Sequence, residues 1–317
     1  MENLLKWSLE NAQSADSNVA TERRQAAPNP EALAQLFGAP DDATLMRKAM
    51  GVILDPEADI ETKETAFDNL EMLVENMDNA NNLEPLNLWE PLIAQLTNPV
   101  PLLRKMTCWV IGTAVQNNPK SQAALLIYPH AIPNLLHIAA SDPSKEARLK
   151  AMYCLSSAVR NHEAGYDSFK NADGWKTLLA IISQETHNSK LRPANSPEDE
   201  RHLWENDVDI RRRSIFLLAG ILSTEPLEAK IDLLRSLSGV PSLLELLHVE
   251  QSYGAIEKIV QILLVLSKSD TGLSDDEKES IRKGLARAKK EDLLETEDGA
   301  NTELTAEWRL LEQVVNQ

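Results

Sequence analysis

The chain has 317 residues, 32 Lys and Arg against 49 Asp and Glu, a formal net charge of -17, and two cysteines. A duplex carrying one negative charge per roughly 1.7 Å of axis repels so acidic a surface, which speaks against a general nucleic-acid binder. Two cysteines build no disulfide framework, and 4% aromatics with 11 glycines are a meagre supply for strands and hairpins.

Residues 1–37 read as a flexible N-terminal segment with one short helix. Glu2, Lys6, Glu10 and Asp16 interrupt any apolar block of the kind a secretory signal needs. Leu4, Leu5 and Trp7 form a small apolar cluster, either a docking motif or a turn that caps the first repeat. Asn11 to Pro30 is rich in Ser, Asn, Gln and Ala and contains Pro28-Asn29-Pro30, the composition of a linker. Asp41-Asp42 suit a helix N-terminus, where carboxylates meet the positive end of the dipole.

Residues 38–268 read as an array of repeats. Arg104 to Asn118 (RKMTCWVIGTAVQNN) and Arg148 to His162 (RLKAMYCLSSAVRNH) superpose at a shift of 44. A shift of 41 backwards lays Lys63 on Arg104 and Val74 on Val115, and 63 forwards lays Lys150 on Arg213. A further 44 places Leu218 on Ile262, a weaker copy. Between these lies a second recurring helix, Ala131-Ile132-Pro133, Gly174-Trp175-Lys176 and Gly239-Val240-Pro241, with Leu88-Trp89-Glu90-Pro91 as a divergent version. A unit of about 40–47 residues with two or three helices is the armadillo/HEAT period. The expected fold is therefore all-α: an armadillo-like right-handed superhelical solenoid of about four to five repeats, burying a continuous core by stacking. The Gly- and Ala-led helices, GVPSLLELL among them, match the helix expected to line its groove. Gln184 to Asp209, with seven acidic and three basic residues, is read as a charged loop insertion. Residues 269–317 close the array as a polar C-terminal cap of two helices, Asp275 to Lys290 and Thr302 to Val315.

No chemistry-bearing motif emerges. Phosphate-loop and dinucleotide spacings, a zinc helix and a nucleophile elbow are all missing from the sequence. The six histidines do not cluster with cysteines, and His137 and His248 read as hydrogen-bonded structural groups. Cys108 and Cys154 are expected to be buried small hydrophobes, since the 44-residue register sets Val110 opposite Cys154. Asn117, Asn118 and Asn161 end the first-type helices, either as caps or as groups offered to a partner. Trp109 and Trp175 make no regular ladder. No catalytic, metal or cofactor site is expected, and a binding scaffold remains.

Several strings narrow the field: Met1-Glu2-Asn3-Leu4-Leu5-Lys6-Trp7-Ser8, Gln35-Leu36-Phe37-Gly38, Ala66-Phe67-Asp68-Asn69-Leu70-Glu71, Asp78-Asn79-Ala80-Asn81-Asn82 and Ile111-Gly112-Thr113-Ala114-Val115. Together they resemble the fungal cytosolic Fes branch of the Fes/HspBP armadillo family, nucleotide exchange factors for DnaK-type heat-shock chaperones. The resemblance implies a non-enzymatic partner that clasps lobe II of the chaperone ATPase domain, opens its nucleotide cleft and promotes ADP and client release. It further implies that Ala80 apposes the chaperone and that Arg213 bonds a carboxylate there, against the plainer readings of a packing alanine and a solvated charge. Asn117, Asn118 and Arg160 are second-tier groove candidates. Leu4, Leu5 and Trp7 are similar to the family's client-site mimic, which implies contact with the chaperone's substrate-binding domain. A cytoplasmic monomer without nucleic-acid or membrane partners is expected; a generic armadillo adaptor holding a peptide or protein is the alternative. Pro101 to Ser183 carries nine basic and five acidic residues between acidic flanks, so charge is expected to steer docking.

Overall fold

The computed structural model describes residues 40–183, 208–250, 252–291, 293 and 302–317. Leu4, Leu5, Trp7 and most of the acidic insertion lie outside the described residues. Among those described there are sixteen α-helices, one short 3-10 turn and no strand. The chain divides into two compact units, Met1–Leu88 and Trp89–Gln317.

The first unit is built on α1 (Asp42–Leu54), α2 (Ile60–Val74) and α3 (Met77–Asn82). Each start is fixed locally: Asp41 accepts from the Thr44 amide at 2.8 Å, Asp59 from Thr62 at 2.7 Å and Asn76 from Asp78 at 2.8 Å. Met46, Met50 and Ile53 of α1 are buried, as are Phe67, Leu70 and Val74 of α2. Asn79 Nδ2 donates to Asp42 Oδ2 at 2.7 Å and to the Leu73 carbonyl at 3.1 Å, so α3 is tied to the start of α1 and the end of α2.

The second unit opens with α4 (Trp89–Ala94) and then repeats a three-helix pattern. The triads are α5 (Pro101–Val115), α6 (Pro119–Leu126) and α7 (Ala131–Ser141); α8 (Lys145–Val159), α9 (Glu163–Asn171) and α10 (Gly174–Ile182); α11 (Val208–Ile221), α12 (Glu228–Ser236) and α13 (Gly239–Val249). A long helix, α14 (Tyr253–Ser267), follows, then α15 (Asp275–Lys290) and α16 (Thr302–Val315). Val208 and Asp209, read with the insertion, already belong to α11.

The 44-residue register holds in three dimensions. Val110 and Cys154, Ile111 and Leu155, Ala114 and Ala158, and Val115 and Val159 are all buried. Both cysteines are fully buried free thiols, and burial pushes both well above the ordinary thiol pKa, so they act as small apolar groups. Gly112 permits a close approach of α5 and α8: a Cβ there would stand 2.6 Å from the Tyr153 ring. Gly174, which opens α10, is forced by Phe169, whose carbonyl oxygen would lie 2.5 Å from such a Cβ.

Long helices end and the next ones begin in a shared way. Asn117 and Asn161 take positive φ, 52° and 54°, the left-handed conformation asparagine tolerates at a helix exit. Asn118 then caps α6, bonding Ser121 through its amide nitrogen and hydroxyl, and donates to the Ala114 carbonyl. At the equivalent place His162 Nδ1 accepts from the Gly165 amide at 3.1 Å and caps α9.

Burial holds the His162 pKa below the ordinary histidine value. The unfolded chain therefore binds the proton more readily, and the capping bond needs a bare Nδ1. Its stabilisation is complete above the ordinary histidine pKa of about 6.5 and is lost as pH falls through the lower folded value. We expect His162→Asn, which places the Asn118 type of cap here, to remove this contribution from urea midpoints measured between pH 7 and pH 5.5. The cap itself is worth about 1 kcal/mol; equal pH slopes in both proteins would contradict the assignment.

Candidate functional site

The exposed face of the second unit follows from the same register. Trp109, Tyr153 and Phe216 are related by the shifts of 44 and 63 that align the buried cores, so α5, α8 and α11 each present one aromatic ring at one position. Trp109 and Tyr153 are half-buried and Phe216 is exposed. Lys150 Nζ lies 3.8 Å from the centre of the Trp109 ring and 5.8 Å from that of Tyr153. Lys258 of α14 stands 5.7 Å from the Phe216 ring and bonds Glu257 and Gln261, each at 2.9 Å. Tyr153 donates its hydroxyl proton to Gln116 Oε1 at 3.1 Å, which holds the ring against Gly112. Lys105, Trp109, Glu146, Lys150, Tyr153 and Arg213 surround an open cleft of about 490 Å³.

Rings with cations stacked on their faces make a stiff, amphipathic surface, each such pair worth about 0.5–1 kcal/mol when exposed. This surface suits a folded partner that offers carboxylates between apolar groups. Among the described residues no three His, Cys, Asp or Glu side chains gather as metal ligands would, and no single helix is long and apolar enough to cross a membrane.

The three consecutive arginines of α11 have three different surroundings. Arg211 is buried and reaches Glu250 Oε2 through Nη2 at 3.1 Å and Nε at 3.3 Å. Arg212 is exposed, 3.8 Å from Asp209. Arg213 is exposed and opens onto the cleft with Trp109, Lys150 and Tyr153.

Other sequence candidates fall elsewhere. Arg160 ends α8 and lines a second cleft of about 630 Å³, together with His162, Tyr166 and Lys230. Lys230 is fixed there by the Ile221 and Thr224 carbonyls at 3.1 and 2.6 Å, and stands over the Tyr166 ring at 4.8 Å. Asn117 and the buried Asn118 have the capping roles given above. Ala80, in α3 of the first unit, is only 1% exposed. His137 and His248 are hydrogen-bonded, to Ser141 and Ser280, each at 3.1 Å.

The open face with the rings belongs to the long helices α5, α8 and α11, with Lys258 of α14 beside them. Trp109 and Trp175 make no ladder, as expected, since Trp175 sits on α10 and is 2% exposed; Trp109 instead shares its register position with Tyr153 and Phe216. The 44- and 63-residue shifts carry this signal when all aromatic residues are aligned, not tryptophans alone.

Two family models match the chain: "Nucleotide exchange factor Fes1" over residues 1–83, and "SIL1/FES1/HPBP1 C-terminal domain" over residues 79–193. The Hsp70 nucleotide exchange factor FES1 of Yarrowia lipolytica is 36% identical over 299 residues, 94% of this chain and 95% of that protein. The protein of the same name from Saccharomyces cerevisiae is 37% identical over 90% of this chain and 92% of its own length. Among solved structures, a designed armadillo repeat protein in complex with the peptide (KR)4 superposes with a TM-score of 0.60 at 15% identity, covering 86% of this chain and 99% of the other. A second designed armadillo repeat protein gives 0.62 at 14% identity, over 86% and 100%. The fold is thus armadillo-like.

The arginine triplet yields a direct test in thermal or urea unfolding. Arg211→Ala takes the cation away from the buried Glu250 carboxylate and should cost about 3–5 kcal/mol, whereas Arg213→Ala should stay within about 0.5 kcal/mol of the parent. Similar losses in both variants would contradict the distinction.

Proposed function

The chain belongs to the Fes1 family of Hsp70 nucleotide exchange factors, and from that premise we propose that it clasps lobe II of the chaperone ATPase domain and opens the nucleotide cleft. It is an exchange factor and not an enzyme, so its effect on the chaperone is differential binding. It must hold the open, nucleotide-free conformation more tightly than the ADP-bound one. By linkage, each nucleotide that closes the cleft weakens the factor's grip, and ATP rebinding releases it. Client release and protein folding follow in the cytoplasm, with the factor acting as a monomer.

The single observation that supports this reading is the ladder of Trp109, Tyr153 and Phe216 with Lys150, Arg213 and Lys258 beside it. Arg213 opens onto that cleft with no structural duty of the Arg211 kind, which suits charge-assisted bonding to a carboxylate on the chaperone. Asn117, Asn118 and Arg160 have a supporting part, as groups that shape the ends of the same helices. Ala80 acts through packing: a larger side chain there displaces α3 and with it any surface α3 offers. Leu4, Leu5 and Trp7 engage the chaperone's substrate-binding domain as a client mimic on a tether. The basic excess of Pro101 to Ser183 steers encounter, so association slows as salt rises.

Stopped-flow release of labelled ADP from a DnaK-type ATPase domain tests the proposal. The full chain should accelerate release, and Arg213→Ala or Trp109→Ala should raise the concentration for half-maximal effect about tenfold, the loss of one charge-assisted or aromatic anchor. Unchanged release at saturating factor would overturn the exchange mechanism. Chaperone binding without any effect on release would identify an adaptor instead.

A further inference from the structure

The seams between repeats of the second unit are not all closed in the same way. At the first, Gln122 of α6 donates through Nε2 to the carbonyls that end α8, Ser157 at 2.8 Å and Arg160 at 3.4 Å, and α6 packs on α9. The 44-residue shift sets Tyr166 of α9 where Gln122 stands, and the shift that follows is 63 rather than 44. Tyr166 lies instead beneath Lys230 of α12, which closes the end of α11 from within its own repeat, on the Ile221 and Thr224 carbonyls. This seam stays open: α9 and α12 face each other across the cleft of about 630 Å³.

The charges of that cleft are unevenly placed. Lys230 is only 3% exposed, and its bonds go to two carbonyls and the Thr224 hydroxyl, so its ammonium meets neutral acceptors alone. Burial lowers its pKa, as expected of a cation kept from water without an anion in contact. Arg160 lies across Gly220 of α11, where a Cβ would stand 3.6 Å from Nε and 3.7 Å from Nη2. Glu163, Asp167, Lys170 and Glu225 are exposed around the cleft, and Glu225 Oε2 accepts from the Leu227 amide at 2.9 Å. Elsewhere on the surface a cation three residues from an acid is paired with it, as Lys176 is with Asp173 and Arg282 with Glu279. Arg160 stands three residues before Glu163, but Asn161 turns the chain between them at positive φ, and among the described residues Arg160 bonds no carboxylate.

The cleft also continues the ladder. Ser156 follows Tyr153 by three residues and Gly220 follows Phe216 by four, so the cleft lies one turn beyond these rings on the same face of α8 and α11. One turn is about 5.4 Å, close enough for neighbouring residues of one partner to fill both clefts. We propose that this open seam is a second anchor for the chaperone ATPase domain, where Arg160 receives a carboxylate of the partner. The proposal rests on the exchange-factor reading above and goes beyond the supporting part given there to Arg160. An uncommitted guanidinium backed by a buried ammonium suits one carboxylate, and docking strengthens that bond by removing water. Glu163 and Asp167 on the rim repel a run of acids, so the favoured group is a single carboxylate with neutral or basic neighbours.

Calorimetric titration of the full chain with a DnaK-type ATPase domain tests the anchor. Gly220→Asp supplies a carboxylate to Arg160 from within, and because glycine is the poorer helix former it leaves α11 no weaker. It should raise Kd about tenfold with an unchanged unfolding midpoint, while Gly220→Asn, of the same shape but neutral, should raise it about twofold. Arg160→Gln, on an exposed side chain, should match the aspartate variant and carries the test if that variant folds poorly. Binding of Gly220→Asp or Arg160→Gln within about twofold of the parent would overturn the anchor. So would equal losses with aspartate and asparagine, which would make the effect one of bulk. Failure of the parent chain to accelerate ADP release defeats the exchange reading itself. Normal release that responds to Arg213→Ala but not to Gly220→Asp defeats only this inference.

Discussion

The second unit is organised around an acid at the end of a repeat that receives arginines from two helices. Asp142 follows α7 and accepts Arg104 on its carboxylate, Nε at 2.5 Å and Nη2 at 2.9 Å, while its carbonyl accepts Arg148 at 2.8 Å. Glu250 follows α13 and accepts Arg211 on its carboxylate, while its carbonyl accepts Arg287 at 2.9 Å. Each carboxylate also takes an amide two residues on, Ser144 at 2.9 Å and Ser252 at 2.8 Å. One arginine closes its own repeat; the other comes from a helix further on, α8 for Arg148 and α15 for Arg287. Both acids are nearly inaccessible to water, so such bonds add specificity of arrangement more surely than net stability.

This node also decides what faces outward. A helix turns about 100° per residue, so pinning one residue sets the azimuth of the rest. Trp109, Tyr153 and Phe216 each stand five residues after the bonded arginine of their helix, the half-buried Arg104 and the buried Arg148 and Arg211. Five steps carry a side chain roughly 140° round the axis, from the buried side to the open one. Lys150 and Arg213, two residues after Arg148 and Arg211, fall beside the rings. The surface proposed to meet the chaperone is therefore the reverse side of the contact that stacks the repeats. Gly112 and Gly174 serve the same stacking, by permitting approaches that a Cβ would block.

Family membership and physical reading support each other without being the same argument. The designed armadillo structures share the fold at identities that carry no function. The exchange activity follows from relatives that match over nearly the whole chain. The ladder adds what neither comparison contains: a specific stretch of surface with its own chemistry.

Much of the fold was legible in the sequence because stacking repeats must bury equivalent positions, and burial restricts residue type. The 44-residue shift, the cap helices Asp275–Lys290 and Thr302–Val315, and the buried cysteines were all readable on that ground. The site was less so. Arg211, Arg212 and Arg213 are chemically identical, and only their angular positions on α11, set by Glu250, separate a buried staple from an open anchor. The burial of Ala80 and Asn118 is not legible in sequence, because packing and capping depend on neighbours brought together by folding. The sequence by itself determined the helices, their period and the apolar stripe of each, since these are local or periodic properties. Which polar residues are spent inside and which remain outside was decided by the tertiary structure alone, because that depends on partners about 40 residues away.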